Sequence, residues 1–126
     1  MANLTLTASN QLLSWALGLS ATGPSGALQV ALVTANGTTS AAGTEVTGGS
    51  YTRKTLVPAV VVNGASSNST DLVWAGMPGV TVVGVEIWDS AATPVRWWFG
   101  ALTAPKSPDA GDEVRLTAGT LTVALS

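Results

Sequence analysis

The sequence predicts a mainly β protein: an antiparallel β-sandwich of about seven strands behind one short N-terminal helix. Three observations carry this. Helical spacing of apolar residues occurs once, near the start of the chain. From residue 28 onward, short runs alternate apolar and polar positions, the period of a half-buried strand. Between the runs stand clusters of Gly, Ser, Thr, Asn and Pro that read as turns. The 126 residues fit one domain, 1–126, divided into an arm at 1–7, a helix at 8–19 and strands across 28–125.

Residues 1–7 carry only Leu4 and Leu6 as anchors after the first Met, and read as an arm or an edge strand, with an arm reaching toward a neighbouring subunit. In "ASNQLLSWALGLS", Leu12, Trp15, Ala16 and Leu19 follow helical spacing, and Leu13 and Leu17 widen the stripe. Ser9 or Thr7 is placed to cap the start, and Gly18 and Gly23 fall where the helix should end. In "ALQVALVT", Leu28, Val30 and Leu32 share a face. Residues 35–50 form a polar stretch without a clear element, long enough to suggest a contact loop. "YTRKTLVPAVVV" reads as a strand that Pro58 places at an edge, an end or a bulge. "NGASSNST" is a turn cluster, "DLVWAG" a short strand and "VTVVGVEIWD" a strong one. "SAATP" turns it into "VRWWFGALT"; a loop "APKSPDAGD" and two short strands around Ala118-Gly119 close the chain.

The hairpin at 80–103 raises a question of cover. Strand side chains point alternately to opposite faces. In the first strand Val83, Val85 and Ile87 share one face, and Val82, Gly84, Glu86 and Trp88 the other. In the second, Val95, Trp97, Phe99 and Ala101 oppose Arg96, Trp98, Gly100 and Leu102. If the wholly apolar faces form the core, then Glu86, Trp88, Arg96 and Trp98 share the second face. A five-residue turn sets Glu86 opposite Arg96. A longer turn sets Trp88 opposite Arg96, a cation–π pair worth about 0.5–1 kcal/mol at an exposed site. The second face is covered by the N-terminal helix, by another subunit or by a ligand. Trp and Arg are typical interface residues, so these four are interface candidates. Thr44 and Glu45 of the long loop, and Arg53 just after it, complete the set.

Composition excludes several functions. Only 10% of residues are charged, against the usual ~25%. So bare an exterior suits a surface that meets other protein. The five Lys and Arg are scattered and form no basic stripe, which argues against nucleic acid. No apolar run is long enough to span a bilayer, and residues 10–20 lack the basic leader of a secretory signal. With neither His nor Cys, histidine-dependent nucleophile systems and ordinary zinc sites are excluded. Stability should not respond to pH between about 5 and 8. Asp109, Asp112 and Glu113 crowd one loop but match no calcium-loop spacing. Asp71, Asp89 and Glu45 each stand beside a turn, where carboxylates commonly cap. No glycine-rich loop opens a helix, so no phosphate cradle is expected. The expectation is a chain without catalytic, cofactor or metal residues, and not an enzyme.

A resemblance adds to this. "LLSW", "LQVALVTA", "GTEVTGGSYTRKTL", "GVEIWDSAATP", "FGALTAPKSPDAGDEV" and "LTAGTLTVAL" stand in this order over nearly the whole chain. In this the chain resembles small tailed-bacteriophage virion proteins, described as tail-fibre-like or head-decoration proteins. The resemblance implies a β-sandwich, no catalysis and a role in the assembled particle. A chain of this size without fibrous repeats suits a capsid decoration protein. Such a protein is made in the host bacterial cytoplasm. In the virion it binds the major capsid protein on the capsid surface, as a homo-oligomer, and stabilises the head. The alternative is a tail-fibre or baseplate module that contacts the host surface.

Overall fold

The structure, a computed structural model, describes residues 2–125. Met1, the first residue of the expected arm, and Ser126 lie outside them. The described chain is mainly β, with one helix and ten strands. In chain order these are β1 (Asn3–Leu4), α1 (Leu6–Ala16), β2 (Gln29–Ala35), β3 (Thr44–Glu45), β4 (Lys54–Thr55) and β5 (Ala65–Ser67). Then follow β6 (Leu72–Trp74), β7 (Val82–Trp88), β8 (Arg96–Lys106), β9 (Val114–Leu116) and β10 (Thr122–Ala124).

Six strands form one antiparallel sheet in the order β1-β8-β7-β2-β3, with β4 also paired to β2. The strands β3 and β4 share one edge of β2: β3 pairs with Val33 and Ala35, and β4 with Gln29 and Val30. Two ribbons, β5–β10 and β6–β9, complete the fold. The core contains Val30 and Leu32 of β2, Val82, Val85 and Ile87 of β7, Leu72 and Trp74 of β6, and Val114 and Leu116 of β9. It also takes in Val46, Leu56, Met77 and Leu121 from the connections. Leu28, Val30 and Leu32 face it together, as their alternation predicts. Asn68, fully buried, ties the 117–121 turn to β5. Its Nδ2 donates to the Thr70 and Thr117 carbonyls at 2.9 and 3.0 Å, and its Oδ1 accepts from the Leu121 N–H at 3.0 Å.

Several expectations need correction. The helix starts two residues early, at Leu6, and its N-cap is Thr5 rather than Thr7 or Ser9. The Thr5 hydroxyl accepts from the Ala8 N–H at 3.2 Å and donates to the Arg96 carbonyl at 2.9 Å. One side chain therefore caps the helix and seats it on β8. The helix ends at Ala16, with Gly18 just beyond it. The Leu19 N–H bonds the Ser14 carbonyl and the Gly18 N–H the Trp15 carbonyl, the paired closure that lets a chain leave a helix through glycine. Of the two readings of the N-terminal segment, the edge strand holds at β1: Asn3 pairs with Phe99 and Leu4 with Trp98.

The segment at 51–62 yields a two-residue strand, β4, and then two isolated bridges, Pro58 with Asn68 and Val62 with Ala65. The chain reverses at Asn63-Gly64, both at positive φ (53° and 74°), the requirement of a tight two-residue hairpin turn. The Val62 and Ala65 N–H groups each bond the other's carbonyl, at 2.9 and 3.0 Å, and β5 begins at once where only a turn was expected. The long loop at 35–50 also holds a strand, β3, paired across a bulge.

Candidate functional site, the second face of the sheet

The bulk of the chain's charge–aromatic contacts lie on the sheet face turned away from the core. Pairing places Trp88 opposite Arg96, the register of the longer turn. It also places Ile87 opposite Trp98 and Glu86 opposite Phe99. Between these pairs β8 carries one extra residue, Trp97. A bulge of this kind reverses the facing of everything beyond it. The expected grouping of Trp98 with Glu86, Trp88 and Arg96 is therefore corrected. Trp98 shares the core face with Ile87 and packs against the core, while Phe99 takes its place on the second face. A second irregularity at the start of β7 puts Val82, rather than Val83, in the core.

Asp89 holds the bulge in shape. Its Oδ2 accepts from the Trp97 indole N–H at 3.1 Å and from the Ser25 N–H at 3.2 Å. Its Oδ1 accepts from the Val95 and Ala91 N–H groups at 2.9 and 3.2 Å. Burial pushes the Asp89 carboxyl up, but these four donors outweigh it and hold the group below the usual carboxylate range.

Beside the bulge, Glu86 and Arg96 form a buried ion pair, Nη1 to Oε2 at 3.1 Å. The long loop closes over them. The Glu86 Oε2 also accepts from the Gly43 N–H at 2.7 Å, and the Arg96 Nη2 donates to the Thr38 carbonyl at 2.6 Å. The Arg96 guanidinium lies over the Phe99 ring, 5.2 Å from its centroid. Where the loop leaves β2, the Asn36 side chain occupies the space a side chain on Gly84 would need; a Cβ there would also stand 2.6 Å from the Gly100 carbonyl. The cover over Glu86 and Arg96 comes from within the chain, and not from the helix. It is the chain's own loop, residues 36–43, which explains why β2 and β7 are buried on both faces over most of their length.

A second cluster adjoins the first. Arg53 binds Glu45 through two parallel bonds, Nε to Oε2 at 3.0 Å and Nη2 to Oε1 at 2.9 Å. The Tyr51 hydroxyl donates to the same Glu45 Oε2 at 2.7 Å and accepts from the Leu32 N–H at 3.0 Å. The Arg53 guanidinium stacks over Trp88, 4.5 Å from the ring centroid. The cation–π partner of Trp88 is therefore Arg53, not the cross-strand Arg96. Burial raises the Glu45 carboxyl, yet the bonds from Arg53 and Tyr51 bring it below its ordinary value. Burial and the Glu45 bond together push the Tyr51 hydroxyl far up, so it stays protonated and donating.

Of the seven sequence-predicted residues, Glu45, Arg53, Trp88, Glu86 and Arg96 meet on this face. Thr44 is exposed beside them on β3, and Trp98 is on the opposite side. Glu86 and Arg96 are 1% and 9% exposed, so a partner would reach them only by lifting the loop. Sequence reading missed Tyr51, Asp89 as the bulge clamp, and the backbone of Thr38 and Gly43. For Asp89 a signal existed, since a carboxylate next to a turn commonly caps it. The face joins each charge to a partner inside the chain, an arrangement for holding shape. Among the described residues no group of His, Cys, Asp or Glu could hold a metal ion, and no helix is long and apolar enough to cross a membrane.

No curated protein matches the sequence. A family of phage proteins does: the match to the family described as podophage GP4 fiber I protein gp80 runs over residues 3–124, through every element from β1 to β10. That span takes in the sheet, its covering loop and both clusters, and the chain accordingly belongs to this family of tailed-bacteriophage virion proteins.

Proposed function

We propose that the protein is a non-enzymatic structural module of a phage tail fibre. The observation that carries this is the match of nearly the whole chain to a family described as a fibre protein. It supports the tail-fibre alternative over attachment to the major capsid protein as a head decoration. The second face agrees with a structural role, because its ionisable side chains are engaged with one another and with backbone rather than turned toward a cleft. In this reading the polar loops present the outer surface of the fibre assembly to the host.

The test is stoichiometry and position in purified particles. Quantitative mass spectrometry should find the protein at the level of other tail components, and immunogold labelling should mark the tail. Copy numbers on the scale of the major capsid protein, with label over the head, would overturn the fibre assignment and restore the decoration reading.

A further inference from the structure

Among the described residues, two apolar features are left largely exposed. The first is the end of α1 and the segment that follows. Every residue from Trp15 to Ala27 is exposed, and Leu13, Trp15, Leu17 and Leu19 are 60–73% exposed. An isolated helix of this length is marginal in water and normally owes its stability to a packed face. Here Ala8 is the only fully buried residue of the helix. The second feature is the 57–62 hairpin arm, where Val57, Val60, Val61 and Val62 are 47–86% exposed, with Leu125 beside it at 49%. Val61, Leu125, Val123 and Trp98 help line a groove of about 140 Å³ there. Trp98 also lines a groove of about 230 Å³ under α1, with Leu4, Leu12 and Trp15, so the two features adjoin along one side of the molecule.

We propose that this side is a self-association surface, in which the exposed end of α1 of one copy seats against the valine hairpin and its groove on a second copy. Two points on the molecule select a second copy as the occupant, and every copy carries both features. Both lack charge: residues 1–44, 55–70 and 116–126 contain no Asp, Glu, Lys, Arg or His, so the contact desolvates no formal charge. The nine exposed side chains leave apolar area on the order of 1,000 Å², more than the few hundred a monomer usually shows; it supplies one partner's ~800 Å² share of a stable interface when the contact is reciprocal, each copy giving both its α1 end and its hairpin. A lipid surface fits less well, because helices that lie on membranes carry Lys and Arg on their polar face and α1 has none. The inference stands independently of the fibre assignment.

The absence of native cysteine makes a direct test clean. Chains carrying Leu17→Cys and chains carrying Val61→Cys are mixed and mildly oxidised. The expected result is a covalent dimer containing one of each, formed much faster than from Leu17→Cys mixed with Asp109→Cys. In parallel, light scattering should show wild-type protein heavier than a monomer. Leu17→Lys and Val61→Lys should each weaken self-association roughly tenfold or more. Both sites are exposed, so unchanged circular dichroism and melting will show that these variants fold. A wild-type chain that stays monomeric at high concentration overturns the proposal. So does cross-linking no faster than the control, self-association untouched by both lysine variants, or a monomer that binds neutral lipid vesicles through Leu17.

Discussion

Arg96 is held by the Glu86 carboxylate, the Thr38 carbonyl and the Phe99 ring, and it is almost wholly out of water. A buried charge that loses its partner keeps its desolvation cost, and such single losses are typically worth 3–5 kcal/mol. Glu86→Leu should therefore lower unfolding free energy by about that amount in chemical denaturation. The double variant Glu86→Leu with Arg96→Met should recover a large part of the loss, since no charge then remains buried alone. Asp89 makes a prediction about acid. Its depressed pKa means that the folded chain binds fewer protons than the unfolded one, so its stabilisation is complete above the unfolded value of about 4. It fades as pH falls through the lower folded value. Asp89→Asn should lower the melting temperature at neutral pH and give a shallower decline below about pH 4, read from melting curves across pH. An acid limb as steep as wild type would show that the Asp89 carboxylate is not what titrates.

At the level of elements, β8 decides the layout. Its extra residue sends Trp97 toward Asp89 and α1, Trp98 to the core, and Phe99 to Arg96. Trp98→Ala should thus lower the stability of the single chain, by about 2–4 kcal/mol for a large side chain packed on the core. Stability unchanged within error would place Trp98 outside the core. Strand alternation was legible in the residues: Leu28, Val30 and Leu32 face the core, and β6, β9 and β10 fall where short apolar runs stand between turns. The bulge was not legible, because its cause is a bond from Trp97 to Asp89 across a turn, and any period-two reading carries straight through it. The helix boundary slipped for a similar reason. Thr5 outcompetes Thr7 and Ser9 as cap because its hydroxyl also bonds a carbonyl of β8, a strand some ninety residues away in the chain.

For the whole molecule, composition sets the response to solution conditions. With no His, melting temperature should stay level between about pH 5 and 8. With no metal-ligating group among the described residues, EDTA should leave it unchanged; a fall on adding chelator would reveal a site formed in some other way. Charge placement is as telling as charge number. The ion pairs are gathered on one sheet face and on the Asp71–Arg115–Glu113 surface, which leaves the α1 and valine-hairpin side uncharged. That separation of a locked polar face from a bare apolar side suits a subunit that is rigid within and adhesive on one side.

The sequence by itself determined the class of the molecule: mainly β, one N-terminal helix, no histidine or cysteine chemistry, and kinship with phage virion proteins. All but the kinship follow from local periodicity, turn residues and composition, which act over a few neighbouring residues; the kinship rests on the likeness of whole segments in their order along the chain. Only the tertiary structure decided which tryptophan enters the core and what covers the second face. It likewise decided that Glu45, Arg53, Trp88, Glu86 and Arg96 meet. Those outcomes depend on register and on a loop folding back over the sheet. The energy of a buried ion pair or a bulge clamp belongs to groups far apart in the chain, and no local pattern records it.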